Sequence, residues 1–274
     1  MTYGYSRPFS PSGRASLVPE LPLKFAGDLM LIHFRANREN IAQYIPAPLT
    51  PADSGEAFVW TSRLNCHGFD VDPATLNPAR SFYNVCVVGL PAMLDGKPTM
   101  FSVFQWGDRD WLLGLSWFLG ACSKLAVIEQ TGTNAIFSSL NSPAHGGLGS
   151  TIRRTVSRHG ELVVDAAITP NRNIAIDELS FYFDTLPLTC MRHIPDVSVP
   201  PRGVPALHDL TQMVMADVSF GAPVAGHAAL RFFDADNEEI MPLQPTEVLG
   251  GYITPMAFIL RGVNIIHDYL AEDL

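Results

Sequence analysis

The chain has 274 residues and a mass of 30.0 kDa, enough for one large domain or two small ones at roughly 150 residues each. Hydrophobic residues make up 47% and charged residues 16%, which supplies a sizeable core and excludes a disordered chain. Eighteen basic against 27 acidic residues leave a net charge of −9 with no basic stripe, which argues against nucleic acid and anionic membrane as partners.

After an extended, Pro-bearing arm over residues 1–21, the run Leu23 to Phe34 predicts a strand. Asn37 then stands as an N-cap before Ile41, Tyr44 and Ile45 at helical spacing, and Pro46 and Pro48 stop that short helix. Runs rich in Val, Phe, Tyr and Ile follow between turn signals: Phe58 to Leu64, Phe82 to Leu90 and Thr99 to Gln105. Leu94-Asp95-Gly96-Lys97 predicts a hairpin turn between the last two. Gly114 to Gln130 is long enough for a helix. Strands resume at Thr151 to Ser157, Leu162 to Thr169, Ser180 to Leu186, Gln212 to Ser219 and Ala228 to Phe233, with a second hairpin turn at Arg158-His159-Gly160-Glu161. Thr254 to Leu270 is the last helix-length segment. No repeat and no break in composition divides residues 22–274, so the expectation is one mainly β domain, closed or sandwiched and antiparallel, with a few helices.

The first nineteen residues have no apolar core of the kind a signal peptide carries. Cys66, Cys86, Cys122 and Cys190 form no C-x-x-C pair and lie in apolar surroundings, which reads as buried thiols in a reducing, cytoplasmic setting. Trp111 to Ile128 approaches the length of a membrane span, but Lys124 and two glycines interrupt it.

Only three of the basic residues are lysines: Lys24, Lys97 and Lys124. On a helix, Lys124 would share its face with Trp117, Gly120, Ala121 and Ile128, none of them charged. Desolvation lowers the pKa of an amine and enlarges its nucleophilic fraction, the condition that Schiff-base chemistry needs. The competing reading is a lysine that snorkels from an apolar helix into solvent. Other motifs carry less. Histidines 67, 145, 159, 193, 208, 227 and 267 lack metal-ligand spacing. The glycine run 146–149 has no lysine after it to complete a phosphate loop. Ser123 beside Lys124 suggests a dyad, but adjacent residues point apart on a helix and oppositely on a strand. No metal site and no cofactor is expected.

Several segments occur in an order that resembles the acetoacetate decarboxylase superfamily. These are Pro22-Leu23-Lys24-Phe25; His33 to Asn37 leading to Tyr44-Ile45-Pro46-Ala47-Pro48-Leu49; His159 to Ala167; Ala216 to Ser219 through Leu230 to Asp234; and Thr246 to Leu249 followed by Ile265 to Leu270. The resemblance implies a cone-shaped antiparallel β-barrel with an accompanying sheet, an enclosed active-site cavity and a homo-oligomer. In that family the Schiff-base lysine is the first of a Gly-x-Pro-Lys-Lys-type motif. Here Gly120-Ala121-Cys122-Ser123-Lys124 is similar, with Cys122 at the proline, Ser123 at the first lysine and Lys124 at the second.

The family's supporting charges, an arginine near the first strand and two glutamates before the lysine motif, have no counterpart. No Arg lies between Arg14 and Arg35, and no Glu between Glu56 and Glu129. Val59 or Trp60 and Tyr83 or Asn84 fall where the glutamates would be, and Arg63, Arg80, Asp70 and Asp108 are the charges available to compensate.

The resulting expectation is a lyase related to acetoacetate decarboxylase, acting on a small or medium-sized oxo acid or ketone other than acetoacetate. Lys124, Ser123 and Arg63 are its candidate catalytic residues, and Trp60, Tyr83, Phe104 and Trp117 its candidate substrate contacts. Two alternatives stay open: a hydratase, isomerase or cyclase that forms no Schiff base, and a non-catalytic barrel that binds a small molecule.

Overall fold

The computed structural model describes residues 2–68, 77–131 and 148–271. Strand β1 (Leu23–Arg35) pairs antiparallel with β3 (Glu56–Gly68) on one side and with β13 (Glu247–Asp268) on the other. From β3 the sheet continues through β4 (Phe82–Leu94) and β5 (Lys97–Gly107), crosses to β10 (Leu188–Ile194), and returns through β11 (Leu207–Phe220) to β13. Seven strands therefore close a ring. Its one parallel junction is β5 with β10, where two residue pairs meet.

The outer sheet grows from β13, which also pairs with β12 (Val224–Phe232). It runs on through β9 (Glu161–Asn173), β8 (Ile152–Arg158) and β7 (Val127–Gln130). Two short strands complete the set: β2 (Thr50–Pro51) on β4, and β6 (Ser123–Leu125) parallel to β5.

This arrangement buries both faces of the ring's strands. Alternate residues of β1 divide between two apolar clusters: Phe25, Leu29 and Leu31 pack inside the ring, while Met30, Ile32 and Phe34 pack against the outer sheet beside Val156, Val164, Ile168 and Phe232. That explains the unbroken apolar run from Leu29 to Ile32, since a strand covered on both sides shows no polar alternation.

Helix α1 (Arg38–Tyr44) begins where expected, with Asn37 Oδ1 accepting the amides of Glu39 and Asn40 at 2.9 and 3.1 Å. Helix α2 is the single turn Pro78–Ser81. Both anticipated hairpins form, with positive φ at Asp95 and Gly96 and at His159 and Gly160, the twist that two-residue turns need.

Three elements differ from expectation. Helix α3 spans Asp110–Leu119 instead of reaching Gln130, because Gly120 turns left-handed at φ 97 and the chain then joins β5 as β6. A side chain at Gly120 would sit 2.6 Å from Thr211 Oγ1, so the stop is also steric. The segment expected as a C-terminal helix belongs to the 22-residue β13, which serves both the ring and the outer sheet. Ser180–Phe183 forms a helical turn, α4, rather than a strand. Its three aromatic residues diverge: Phe181 stacks on His33, Tyr182 meets Trp60, and Phe183 packs on Phe220. A strand would return Phe181 and Phe183 to one face.

The arm lies on its own domain near α3. Val18 is buried, Ser6 Oγ accepts its amide at 2.7 Å, and Leu17 and Val18 approach Gly114. Cys66, Cys86 and Cys190 are buried, whereas Cys122, expected to be buried, is exposed, and all four are free thiols. Among the described residues no helix is long and apolar enough to cross a membrane.

Candidate functional site

The inward residues of the ring stop short of filling it and leave a cavity of about 160 Å³. Phe25 and Leu29 of β1, Trp60, Ser62 and Leu64 of β3, and Tyr83, Val85 and Val87 of β4 form one wall. Met213 and Met215 of β11 with Met256, Phe258 and Leu260 of β13 form the other. Helix α3 closes an end with Leu112, Leu115, Ser116 and Leu119, and α4 contributes Tyr182. An apolar cavity of about this size holds one benzene-sized molecule.

Among the described lining residues none is Asp, Glu, His, Lys or Arg. The polar groups are neutral. Gln105 Nε2 donates to Ser116 Oγ at 3.1 Å, and the buried Ser62 hydroxyl has no hydrogen-bond partner among the described residues. Tyr83 is held edge-on by Phe25 and Trp111, and Tyr182 by Phe58 and Trp60. Burial pushes both phenols well above their usual range, with Cys66 and Asp108 adding to the effect at Tyr83. Both stay protonated, able to donate a hydrogen bond but not to act as bases.

Ser123 and Lys124 part at strand β6. Ser123 is in register with Gln105, and Lys124 with Trp106. Gln105 faces the cavity while Trp106 is buried in the cluster under the outer sheet, so by register Ser123 shares the inner face and Lys124 the outer. Ser123 is not itself among the residues lining the cavity and borders a separate pocket with Trp117 and Cys122. The expectation of an unpaired Lys124 ammonium on an apolar helix face is therefore corrected. Its Nζ donates to the Asn237 carbonyl at 2.6 Å and pairs with Glu238 Oε2 at 3.1 Å. Glu238 is fully buried; Arg158 Nε lies 2.7 Å from its Oε1, and Trp106 Nε1 donates to its Oε2 at 3.3 Å. Lys124 belongs to the seam between ring and outer sheet.

Of the other expected site residues, Trp60 and Tyr83 line the cavity. Arg63 does not: it is exposed, with its guanidinium 4.5 Å from the Phe82 ring and its amide on Asp28. Phe104 stacks on Trp106 and meets Tyr44 edge-on beside an acidic surface groove. Trp117 is 66% exposed, its indole donating to the Ser123 carbonyl at 3.2 Å.

Nor do Asp108 and Arg80 reach the cavity: Asp108 accepts from Asn84 and Arg80 donates to the Ser16 carbonyl, while Asp70, His145, Gly146 and Gly147 lie outside the described residues. Sequence reasoning missed Ser62, Gln105, Ser116 and Tyr182. Counting by twos from Trp60 reaches Ser62, but no such count reaches Tyr182, which arrives on a helical turn from another part of the chain.

Ring, outer sheet and apolar interior together define a β-barrel with a small apolar cavity. The sequence profile of the acetoacetate decarboxylase family matches residues 6–270, and the chain belongs to that family. The fold is that of an acetoacetate decarboxylase-like enzyme from Sphingomonas wittichii RW1, with TM-score 0.86, 22% identity, and 97% of this chain and 100% of that one covered. It is also that of the enduracididine biosynthesis enzyme MppR complexed with pyruvate, with TM-score 0.84, 22% identity, and 98% and 99% covered. A structure of acetoacetate decarboxylase superposes with TM-score 0.77 at 17% identity over 97% and 96%. No curated protein sequence matches the chain.

Proposed function

We propose that this protein holds a small organic molecule in its barrel without forming a Schiff base. The observation that carries the reading is the pairing of β6 with β5. The position that aligns with the family's nucleophilic lysine is Ser123, on the inner face, while Lys124 faces outward into an ion pair with Glu238. A lysine so engaged gives the imine-forming lyase reading little support, because its lone pair would have to be freed and carried through the strand to reach a substrate. Pyruvate, present in the MppR structure, is an anion; among its described lining residues this cavity offers a carboxylate no cation.

Chemistry within such a site is confined to what neutral donors and a fixed shape achieve. Two phenols held protonated can polarise a carbonyl oxygen, and the apolar wall can orient a substrate for an internal rearrangement or cyclisation. The apolar side chains exposed around β6, Trp117, Phe118, Leu125, Val127 and Ile194, support the further reading that the protein is a homo-oligomer burying them between copies. The test is borohydride reduction in the presence of a panel of oxo acids and ketones, read by intact mass on wild type and Lys124→Ala. No adduct is expected with either; an adduct confined to wild type would restore the lyase reading.

A further inference from the structure

We propose that the cavity selects an uncharged molecule of about six to eight non-hydrogen atoms, carrying one oxygen that hydrogen-bonds to Ser62. The inference rests on the reading of the barrel interior as the binding site, and names the class of molecule that occupies it.

Ser62 is 2% exposed and sits mid-wall on β3. Its register partners on the two adjoining strands are Leu29 and Val85, both apolar and both on the cavity wall. Neither paired side chain can satisfy its hydroxyl, and Oγ has no hydrogen-bond partner among the described residues. A buried hydroxyl left unpaired is costly to fold around, so a ligand oxygen that completes it gains from a group already desolvated and fixed. A hydroxyl both donates and accepts, so a ketone or an alcohol would serve.

Charge narrows the class. With no lysine, arginine or histidine among the described lining residues, a bound carboxylate would be desolvated without a counter-ion. Size narrows it further, because about 160 Å³ admits a single ring or a short chain.

The experiment is isothermal titration calorimetry at neutral pH with three probes, benzene, cyclohexanone and cyclopentanecarboxylate, on wild type and Ser62→Ala. Benzene and cyclohexanone are expected to bind wild type, and cyclopentanecarboxylate is not. In Ser62→Ala, cyclohexanone should weaken roughly 2- to 10-fold, the net worth of one neutral hydrogen bond, with benzene unchanged. Equal weakening of benzene and cyclohexanone, or cyclohexanone unmoved, would remove Ser62 as the anchor. Cyclopentanecarboxylate binding as tightly as cyclohexanone would overturn the uncharged class while leaving the cavity as the site. Failure of all three probes on wild type would overturn the site itself. Should Ser62→Ala not fold, the wild-type comparison of cyclohexanone with the carboxylate still decides the charge argument.

Discussion

Removing the carboxylate of Glu238 should destabilise the protein far more than removing the ammonium of Lys124, although the two are ion-pair partners. Glu238 is fully buried, pairs with Lys124 and Arg158 and accepts a hydrogen bond from Trp106, whereas the Lys124 side chain is one-third exposed. In Glu238→Ala the Arg158 guanidinium, only 11% exposed, loses its carboxylate, and Trp106 loses an acceptor. Breaking a buried pair from one side costs about 3–5 kcal/mol. In a chain of this size that is a fall in Tm of about 6–20 °C. Lys124→Met leaves Arg158 and Trp106 on the carboxylate and removes a solvent-screened partner, which costs about 1 kcal/mol or less and at most about 4 °C. Differential scanning calorimetry on the three proteins reads both shifts. Equal losses, or a fall of under about 3 °C for Glu238→Ala, would refute the view that Lys124 is one of several props for a buried carboxylate.

Three further outcomes follow from the cavity and the exposed face. Of the seven tyrosines, Tyr83 and Tyr182 should stay protonated through the ordinary tyrosine range in an alkaline absorbance titration and ionise only on unfolding. Because their folded pKa values lie above the unfolded value, their contribution to stability is complete below about pH 10 and is lost as the pH rises beyond it. Leu115→Trp, on the cavity face of α3, should fill the space and abolish benzene binding at a stability cost of about 1–3 kcal/mol; unchanged affinity would put the benzene elsewhere. Light scattering should give a multiple of 30.0 kDa for wild type and a lower order for Trp117→Glu, and a monomeric wild type would contradict the oligomer.

Much of the fold is legible locally. Asn37 caps a helix, Asp95-Gly96 and His159-Gly160 turn hairpins, and the runs over β3, β4 and β5 fall where their Val and Phe content puts them. What the sequence conceals is what tertiary pairing decides. Thr254 to Leu270 has no two-residue alternation, because β13 faces the ring along part of its length and the outer sheet along another, so its periodicity looks no more like a strand than a helix. The same ambiguity carried the expected helix past Gly120 and gave Lys124 a helical face it does not have. At the site, the order of segments places Ser123 and Lys124 side by side but carries no sign of which face each takes. The parallel pairing with β5, which sends the two to opposite faces, joins segments sixteen residues apart around a helix and leaves no local mark.

The central claim is that the inner face of β6 lacks an amine because Ser123 stands there, and Ser123→Lys tests it most directly. Wild type, Lys124→Ala and Ser123→Lys are each incubated with cyclohexanone and borohydride, and the modified residue is located by peptide mass. The account predicts no adduct on wild type or Lys124→Ala and a reduced imine on the new side chain of Ser123→Lys, where an amine enters an apolar, lysine-free cavity. An adduct on Lys124 of wild type would contradict it.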